Sequence, residues 1–450
     1  MSYTTKIISI VISVALQDAG EATRSLEIAK CIRKFAPIDI TPAITFFSHG
    51  SKFEQTIISN GFSIHPVAPS MEGNGPHTDL KMGENNFVGS VELAYKLLQG
   101  ELDALHEIHP DIVIFGFWPF ASIARRMLKH PIPGICFLPI PMEPTLYASF
   151  LMKDIPDMLQ PLSKLPATMR LFLMRHIPKQ LKLKAPILRQ NNLRLAIQQS
   201  GWTNKAPSNL FDMISAELTI VNDLPIFYKD ASIPSSFKIV GPLFAPGSQS
   251  SSLDENILRV FDSAPQVPNI FCTMGSSGSR DLLFEAIQGI VAGAMDWNAV
   301  ILAPSCICSL DEARAYAVNC PNIFITDQFV PAPIVNRMAD IVVSHGGQGT
   351  IQTAISSGTP VVGVAMQPEQ QINLENLVEH GAGIRIQKHR WNAKVINLSI
   401  KKVLLNKAYK ENMLLLQHQI DSIDGGKNSA TAVWTFINQQ ISSGDKNESK

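Results

Sequence analysis

The chain has 450 residues, 45% of them hydrophobic, and a formal net charge of zero. That length allows two or three domains with sizeable cores, and the neutral charge excludes a general nucleic-acid binder, which would carry a basic excess. No apolar run reaches the roughly 18–20 residues a membrane span needs.

Taken in order, the elements alternate. "IISIVISVAL" (Ile7 to Leu16) is short for a signal-peptide core, has only Lys6 as a nearby cation, and reads as a buried parallel strand. Arg24 to Phe35 has helical spacing at Leu26, Ile28, Ala29 and Ile32. "AITFFSHG" is a strand, "KFEQTIISNGF" a helix, "IHPDIVIFGFWP" a strand, "ASIARRMLKH" a helix and "PGICFLPIPM" a strand. The same grammar restarts after "APGSQSSS" with "NIFCTMGSSGS", "RDLLFEAIQGIVAGAM", "NAVILAP", "NIFITDQFV", "DIVVSHGG" and "TPVVGVA". Strands separated by helices predict parallel sheets covered on both faces. The expected division is 1–245, a linker at 246–252, 253–440, and a disordered tail at 441–450. Ligands of such sheets bind beyond the carboxyl ends of the strands, and the cleft between two such units is the expected site. The six cysteines are scattered, with Cys306 and Cys308 at neither a zinc-ribbon nor a redox spacing. They read as buried free thiols in a reducing, cytosolic setting.

Two glycine-rich loops end strands of the second half: Gly275-Ser276-Ser277-Gly278 and His345-Gly346-Gly347-Gln348-Gly349-Thr350. Each precedes a helix-like segment. Free N–H groups and the dipole at a helix start attract phosphate, and glycine lets the backbone come close. An adjacent imidazole adds a charge-assisted donor.

The segment from Asn322 to Gly383, about sixty residues, resembles the donor-binding signature of family 1 glycosyltransferases, the UDP-glycosyltransferase superfamily with the GT-B fold. The match rests on "FVP" at Phe329 to Pro331, "ADIVVSHGGQGT", "GTP" at Gly358 to Pro360, Glu369-Gln370, Asn373 and "GAG" at Gly381 to Gly383. The layout extends a looser likeness over nearly the whole chain: two Rossmann-like α/β domains facing across a cleft. The resemblance implies that His345 bonds a donor phosphate, and that Gly347, Gly349, Thr350 and Ser276 cradle the diphosphate. It implies that Phe329 stacks on the base while Val330 meets it through backbone, and that Glu369 and Gln370 grip sugar hydroxyls. Ala332 and Thr353 depart from the pattern, standing where a glutamine and a glutamate hold ribose. The implied donor is a UDP-sugar, with TDP left open.

The family's base is a histidine after the first strand, oriented by an aspartate after a later one. Here Glu21 and Gly116 stand in those places. The two changes are compatible: a carboxylate needs no second carboxylate to set a tautomer, and one beside it would repel. Glu21 is therefore the candidate base, although a carboxylate at its ordinary pKa of about 4.3 is a poor one without burial. A capping or ion-pair role with Arg24, an acceptor-binding role, and loss of transfer activity stay open. His49 and Asp18 are lesser candidates. No cofactor is implied, and no metal-binding "DxD" ends a strand.

Residues 158–211 contain no Asp or Glu but nine Lys or Arg: Lys164, Arg170, Arg175, Lys179, Lys182, Lys184, Arg189, Arg194 and Lys205. In GT-B proteins this region shapes the acceptor pocket. Core-packed helices with solvated basic faces would account for it; a hydrophobic or lipid-like acceptor and a peripheral membrane contact are the sharper expectations. Phe117 and Trp118 of "GFWPF" are expected to add aromatic wall, and Trp434 to anchor interdomain packing. The reading is a metal-independent, inverting hexosyltransferase in the cytoplasm, peripheral to a membrane. The alternative is a nucleotide-sugar-binding protein that has lost the dyad; an epimerase or phosphorylase would need acids or a cofactor lysine for which no signature is visible.

Overall fold

The computed structural model describes residues 5–448 apart from 18, 84, 158, 203–205, 245–252, 264–265, 276–277 and 329, with backbone alone over 442–448. The chain forms two compact units: residues 1–150, 177–244 and 424–450, and residues 151–176 with 245–423.

Among the described residues, the first unit holds a sheet of β1 (Lys6–Ser13), β2 (Ile40–Ser48), β3 (Ser63–Pro66), β4 (Ile112–Phe115), β5 (Gly134–Leu138), β6 (Leu218–Val221) and β7 (Phe237–Ile239). The strands are parallel, in the order β3-β2-β1-β4-β5-β6-β7. Strands β4, β5 and β6 are buried along their whole length, as expected of parallel strands covered on both faces. The helices that matter for the site are α1 (Ala19–Lys34), α2 (Val91–Ile108) and α3 (Pro119–Met127). One core is built from Ile10, Ile12, Ile114, Phe137, Ile28 and Trp434.

The second unit holds α4 (Ala167–His176) and, among the described residues, a parallel sheet of β8 (Asn269–Thr273), β9 (Asn298–Leu302), β10 (Ile323–Thr326), β11 (Ile341–Ser344), β12 (Val361–Gly363) and β13 (Gly383–Arg385). Its order is β10-β9-β8-β11-β12-β13. Helices α5 (Arg280–Val291), α6 (Gln348–Ser356) and α7 (Pro368–Glu379) cover it. Its core includes Ile270, Ile287, Trp297, Val343, Val362 and Ile400.

Three departures from the sequence reading have clear causes. The last helix, α8 (Gly425–Glu448), belongs to the first unit rather than ending the second at 440. The Trp434 indole donates to the Ile32 carbonyl at 3.1 Å, Asn428 donates to the Val240 carbonyl at 3.0 Å, and a Cβ at Gly425 would collide with the Pro242 carbonyl. The same helix runs to Glu448, where a disordered tail was expected from 441. A helix nucleated on buried residues adds each further turn at little cost. The expected linker at 246–252 lies outside the described residues.

The third departure is a segment from within the first half. Residues 151–176 belong to the second unit and are held there by buried charge. Arg170 grips Asp154 with two nitrogens at 2.9 Å; Arg385 reaches Asp154 at 3.0 Å, Asp157 at 2.7 Å and Glu375 at 3.4 Å. The Gln371 amide donates to Glu375 at 2.7 Å and accepts from the Asp157 N–H at 3.2 Å. Three carboxylates thus meet two guanidiniums. Burial pushes Asp157 upward against the pull of Arg385, and burial also opposes ionisation of Asp154, but Arg170 and Arg385 outweigh it and hold that group low. Glu375 is pushed up to about 7, chiefly by burial. One proton at the third carboxylate balances the cluster.

The unfolded chain releases that proton near 4.5 while the folded chain keeps it to about 7. The group's contribution to stability is therefore complete at low pH and is lost as pH rises through that window. Glu375→Gln is expected to gain on the wild type across the same window, by up to about 3 kcal/mol above it. Denaturant titrations of both proteins at about pH 5 and about pH 8 check this; a difference that does not change with pH would refute it.

Candidate functional site

In each sheet the strand order reverses beside the first strand, at β1/β4 and at β8/β11. Connections leave in opposite directions there, opening a crevice beyond the carboxyl ends of the strands. Among the described residues, Glu21 and Gly116 follow β1 and β4 in the first unit, and Gly275 and His345 follow β8 and β11 in the second.

In the second unit the register pairs Ser344 with Thr273, so the two glycine loops emerge side by side. Both begin the same way. The Thr273 hydroxyl accepts from the Gly275 N–H at 3.2 Å, and the Ser344 hydroxyl accepts from the Gly346 N–H at 3.2 Å. These are local hydroxyl-to-backbone turns. Gly275 and Gly346 then take φ of +63° and +82°, open to glycine and costly for other residues.

The imidazole of His345 fills the space the two loops leave. A Cβ at Gly275 would lie 2.6 Å from its Cε1, and one at Gly347 would lie 2.6 Å from its Nε2. The ring is 5% exposed, and Nδ1 is buried with no hydrogen-bond partner. Burial holds its pKa down to about 4, so the ring is neutral at pH 7. The charge-assisted contact expected from sequence therefore requires the ligand to bring the proton's stabilisation with it. Gly347 caps α6, with Gly349 exposed and Thr350 half-buried in its first turn.

Helix α7 braces this turn. Asn373 donates to the Gly346 carbonyl at 3.0 Å and to Glu369 Oε1 at 2.6 Å. Glu369 is half-buried at the helix start. Gln370 is 3% exposed, and its amide oxygen accepts from the Met366 N–H at 2.9 Å, which leaves its NH2 group for a ligand. Val330 is buried, and Thr353 donates its hydroxyl to the Gly349 carbonyl at 2.7 Å, within its own helix. Ser276 and Phe329 lie outside the described residues. Pro156 and Asp157 share a small depression with Met366, Gln367, Pro368 and Gln371 at the start of α7. That neighbour carries no glycine or motif signal and is visible only once the segment is seen to fold back.

In the first unit Glu21 sits in the first turn of α1, 5% exposed. Gly116 follows β4, and a Cβ there would collide with Glu21 Oε1 and lie 3.0 Å from the Phe137 ring. The longer carboxylate occupies the room a side chain at 116 would need, so the two departures from the family pattern are one steric unit.

Of the lesser candidates, His49 is buried with both nitrogens engaged, Nδ1 at 3.1 Å from the Pro69 carbonyl and Nε2 at 3.4 Å from Glu101 Oε1. It is part of a buried cluster in which Ser13 and the Trp118 indole also donate to Glu101, each at 2.7 Å. Trp118 is thus fully buried and offers no surface to a ligand here; its indole N–H needs Glu101. Phe117 is half-buried, edge-on to Phe87 at 5.7 Å. Asp18 lies outside the described residues. The basic stretch is not uniformly solvated either. Arg170 is buried, and Lys182 donates to the Ala148 carbonyl at 2.8 Å.

Residues 298–423 match the family described as erythromycin biosynthesis protein CIII-like, C-terminal domain. A PGL/p-HBAD biosynthesis glycosyltransferase of Mycobacterium tuberculosis is 23% identical over 405 residues, covering 87% of this chain and 85% of its own. Among solved structures, the glycotransferase of kitacinnamycin aligns with a TM-score of 0.64 at 18% identity, covering 96% of this chain and 98% of its own. Glycosyltransferase VinC in complex with DTDP aligns with a TM-score of 0.64 at 13% identity, covering 96% of this chain and 100% of its own. The fold is GT-B, and the chain's relatives are glycosyltransferases.

Two predictions follow from this geometry. Gly116→Ala should cost about 1–3 kcal/mol in the wild-type background and clearly less beside Glu21→Ala, a coupling of about 1 kcal/mol or more by double-mutant cycle. Additive effects would show that the two positions do not share space. Binding of a diphosphate at His345 should draw a proton onto the ring. Calorimetry of UDP-glucose at about pH 6 in buffers of different ionisation enthalpy should show uptake that His345→Gln abolishes, with affinity about tenfold weaker. Identical uptake in the two proteins would remove His345 from the site.

Proposed function

We propose that the protein transfers a hexose from a pyrimidine nucleoside diphosphate to a hydrophobic acceptor, inverting the anomeric carbon and using no metal. The observation that carries this is the imidazole of His345 enclosed by two glycine loops at the start of α6. Backbone N–H groups, the helix dipole and a ring that gains a proton on binding together meet the charge of a departing diphosphate. Glu369 and the NH2 of Gln370 supply an acceptor and a donor for sugar hydroxyls.

In the reaction, the acceptor hydroxyl attacks the anomeric carbon as its proton passes to the Glu21 carboxylate. The bond from that carbon to the diphosphate oxygen breaks, and the nucleoside diphosphate leaves. Glu21 is buried in the first turn of α1 with its carboxylate against Gly116, after the first strand of the sheet. Thr353 spends its hydroxyl proton within its own helix and has no carboxylate to offer a ribose 2′-hydroxyl, so UDP- and TDP-sugars are both donors to test. The second reading, a nucleotide-sugar-binding protein without transfer, is favoured by the replaced dyad at Glu21 and Gly116.

Titration of UDP-glucose and TDP-glucose into wild type and Glu21→Gln, with donor hydrolysis followed in the same samples, separates the readings. Binding by both proteins with turnover by wild type alone is expected, with a loss of about 100-fold or more in Glu21→Gln. Binding by both and turnover by neither, across an acceptor panel, would leave the binding protein. No binding of either nucleotide sugar would overturn both.

A further inference from the structure

Helix α4 is turned inside out. Its buried residues are Arg170 and Met174, while Met169, Leu171 and Phe172 are 50%, 39% and 59% exposed. Leu159 and Leu162, earlier in the same segment, are 45% and 41% exposed. A surface helix ordinarily hides its apolar stripe and shows its charge. Here the rotation is fixed by the charge: Arg170 points inward to Asp154 and to the Leu165 carbonyl at 2.7 Å, and Asp154 is held in turn by Arg385. Rolling the apolar face inward would break a buried, hydrogen-bonded ion pair. Apolar side chains held outward in this way on one helix and the residues before it point to a contact site.

The charge around it narrows the occupant. Lys164 and Arg175 are exposed, and no acidic residue occurs from 158 to 211. Like charge would oppose the same face of a second copy. Anionic headgroups would meet the cations while the leucine, methionine and phenylalanine side chains entered the headgroup–acyl boundary. We propose that α4 and the residues just before it dock the protein on an anionic lipid surface, in the plane of the interface. This goes beyond sugar transfer and needs neither donor nor acceptor for its test.

The full chain should co-sediment with phosphatidylcholine vesicles containing phosphatidylglycerol, weakly with phosphatidylcholine alone, and less as salt rises. The triple variant Met169→Ser, Leu171→Ser, Phe172→Ser should lose about tenfold in vesicle affinity, and Lys164→Glu with Arg175→Glu should lose the preference for anionic lipid. Leu405→Ser, at a side chain 85% exposed elsewhere in the unit, should change nothing. Circular dichroism and thermal unfolding show that each variant is folded. Vesicle binding unaffected by the triple variant, or absent in the wild type, overturns the proposal. So does light scattering that shows a wild-type dimer dissociated by the triple variant, which would assign the face to a second copy.

Discussion

The structure depends on one topological constraint, the reversal of strand order beside the first strand of each sheet. Right-handed crossovers force the chain to wind one way from β1 to β3 and the other way from β4 onward. The gap this leaves at the strand ends cannot be filled by a crossover helix. Each unit therefore has a place where loops stand apart and side chains are chosen for chemistry. In the second unit the place is lined by backbone and one imidazole. In the first it is occupied by a buried carboxylate against a glycine.

These crevices use glycine for opposite purposes. Gly275 and Gly347 keep their Cβ positions vacant so that an aromatic ring can lie between the loops with its polar edges close to backbone. The ring is desolvated as a result, and its neutrality follows from that enclosure. Gly116 is vacant because a neighbour's longer side chain has taken the room. The same residue type at a strand end thus admits a neighbouring ring in the first two cases and yields to a neighbouring carboxylate in the third.

What the sequence revealed follows the same division. Parallel strands such as "IVIF" and "IVVS" are continuous apolar runs, so they were visible, and the glycine loops that end them were visible because turn chemistry is local. The short strands β3, β6 and β13 carry little periodicity and exist through pairing with their neighbours. Trp118 looked like pocket wall, since nothing near it in sequence announces that Glu101, on another helix, will accept its indole proton. His345 was legible by motif; its enclosure, which decides its protonation, is a property of two loops 70 residues apart.

The segment from 151 to 176 was the least legible because its anchor is long-range charge. Arg170 among leucines and methionines reads as a solvated cation on an apolar helix. Its partners, Asp154 and through it Arg385, are 16 and 215 residues away. A buried cluster of this kind is a weak source of net stability, since the cost of removing five ionisable groups from water offsets most of their attraction. Its effect is to make one orientation far better than any other. A core of leucines would tolerate rotation or sliding of α4; a forked guanidinium on a fixed carboxylate does not. The charge therefore acts as the positioning device. It keeps the segment beside the start of α7, where Pro156 and Asp157 border Gln367, Pro368 and Gln371, and it keeps the apolar face of α4 outward.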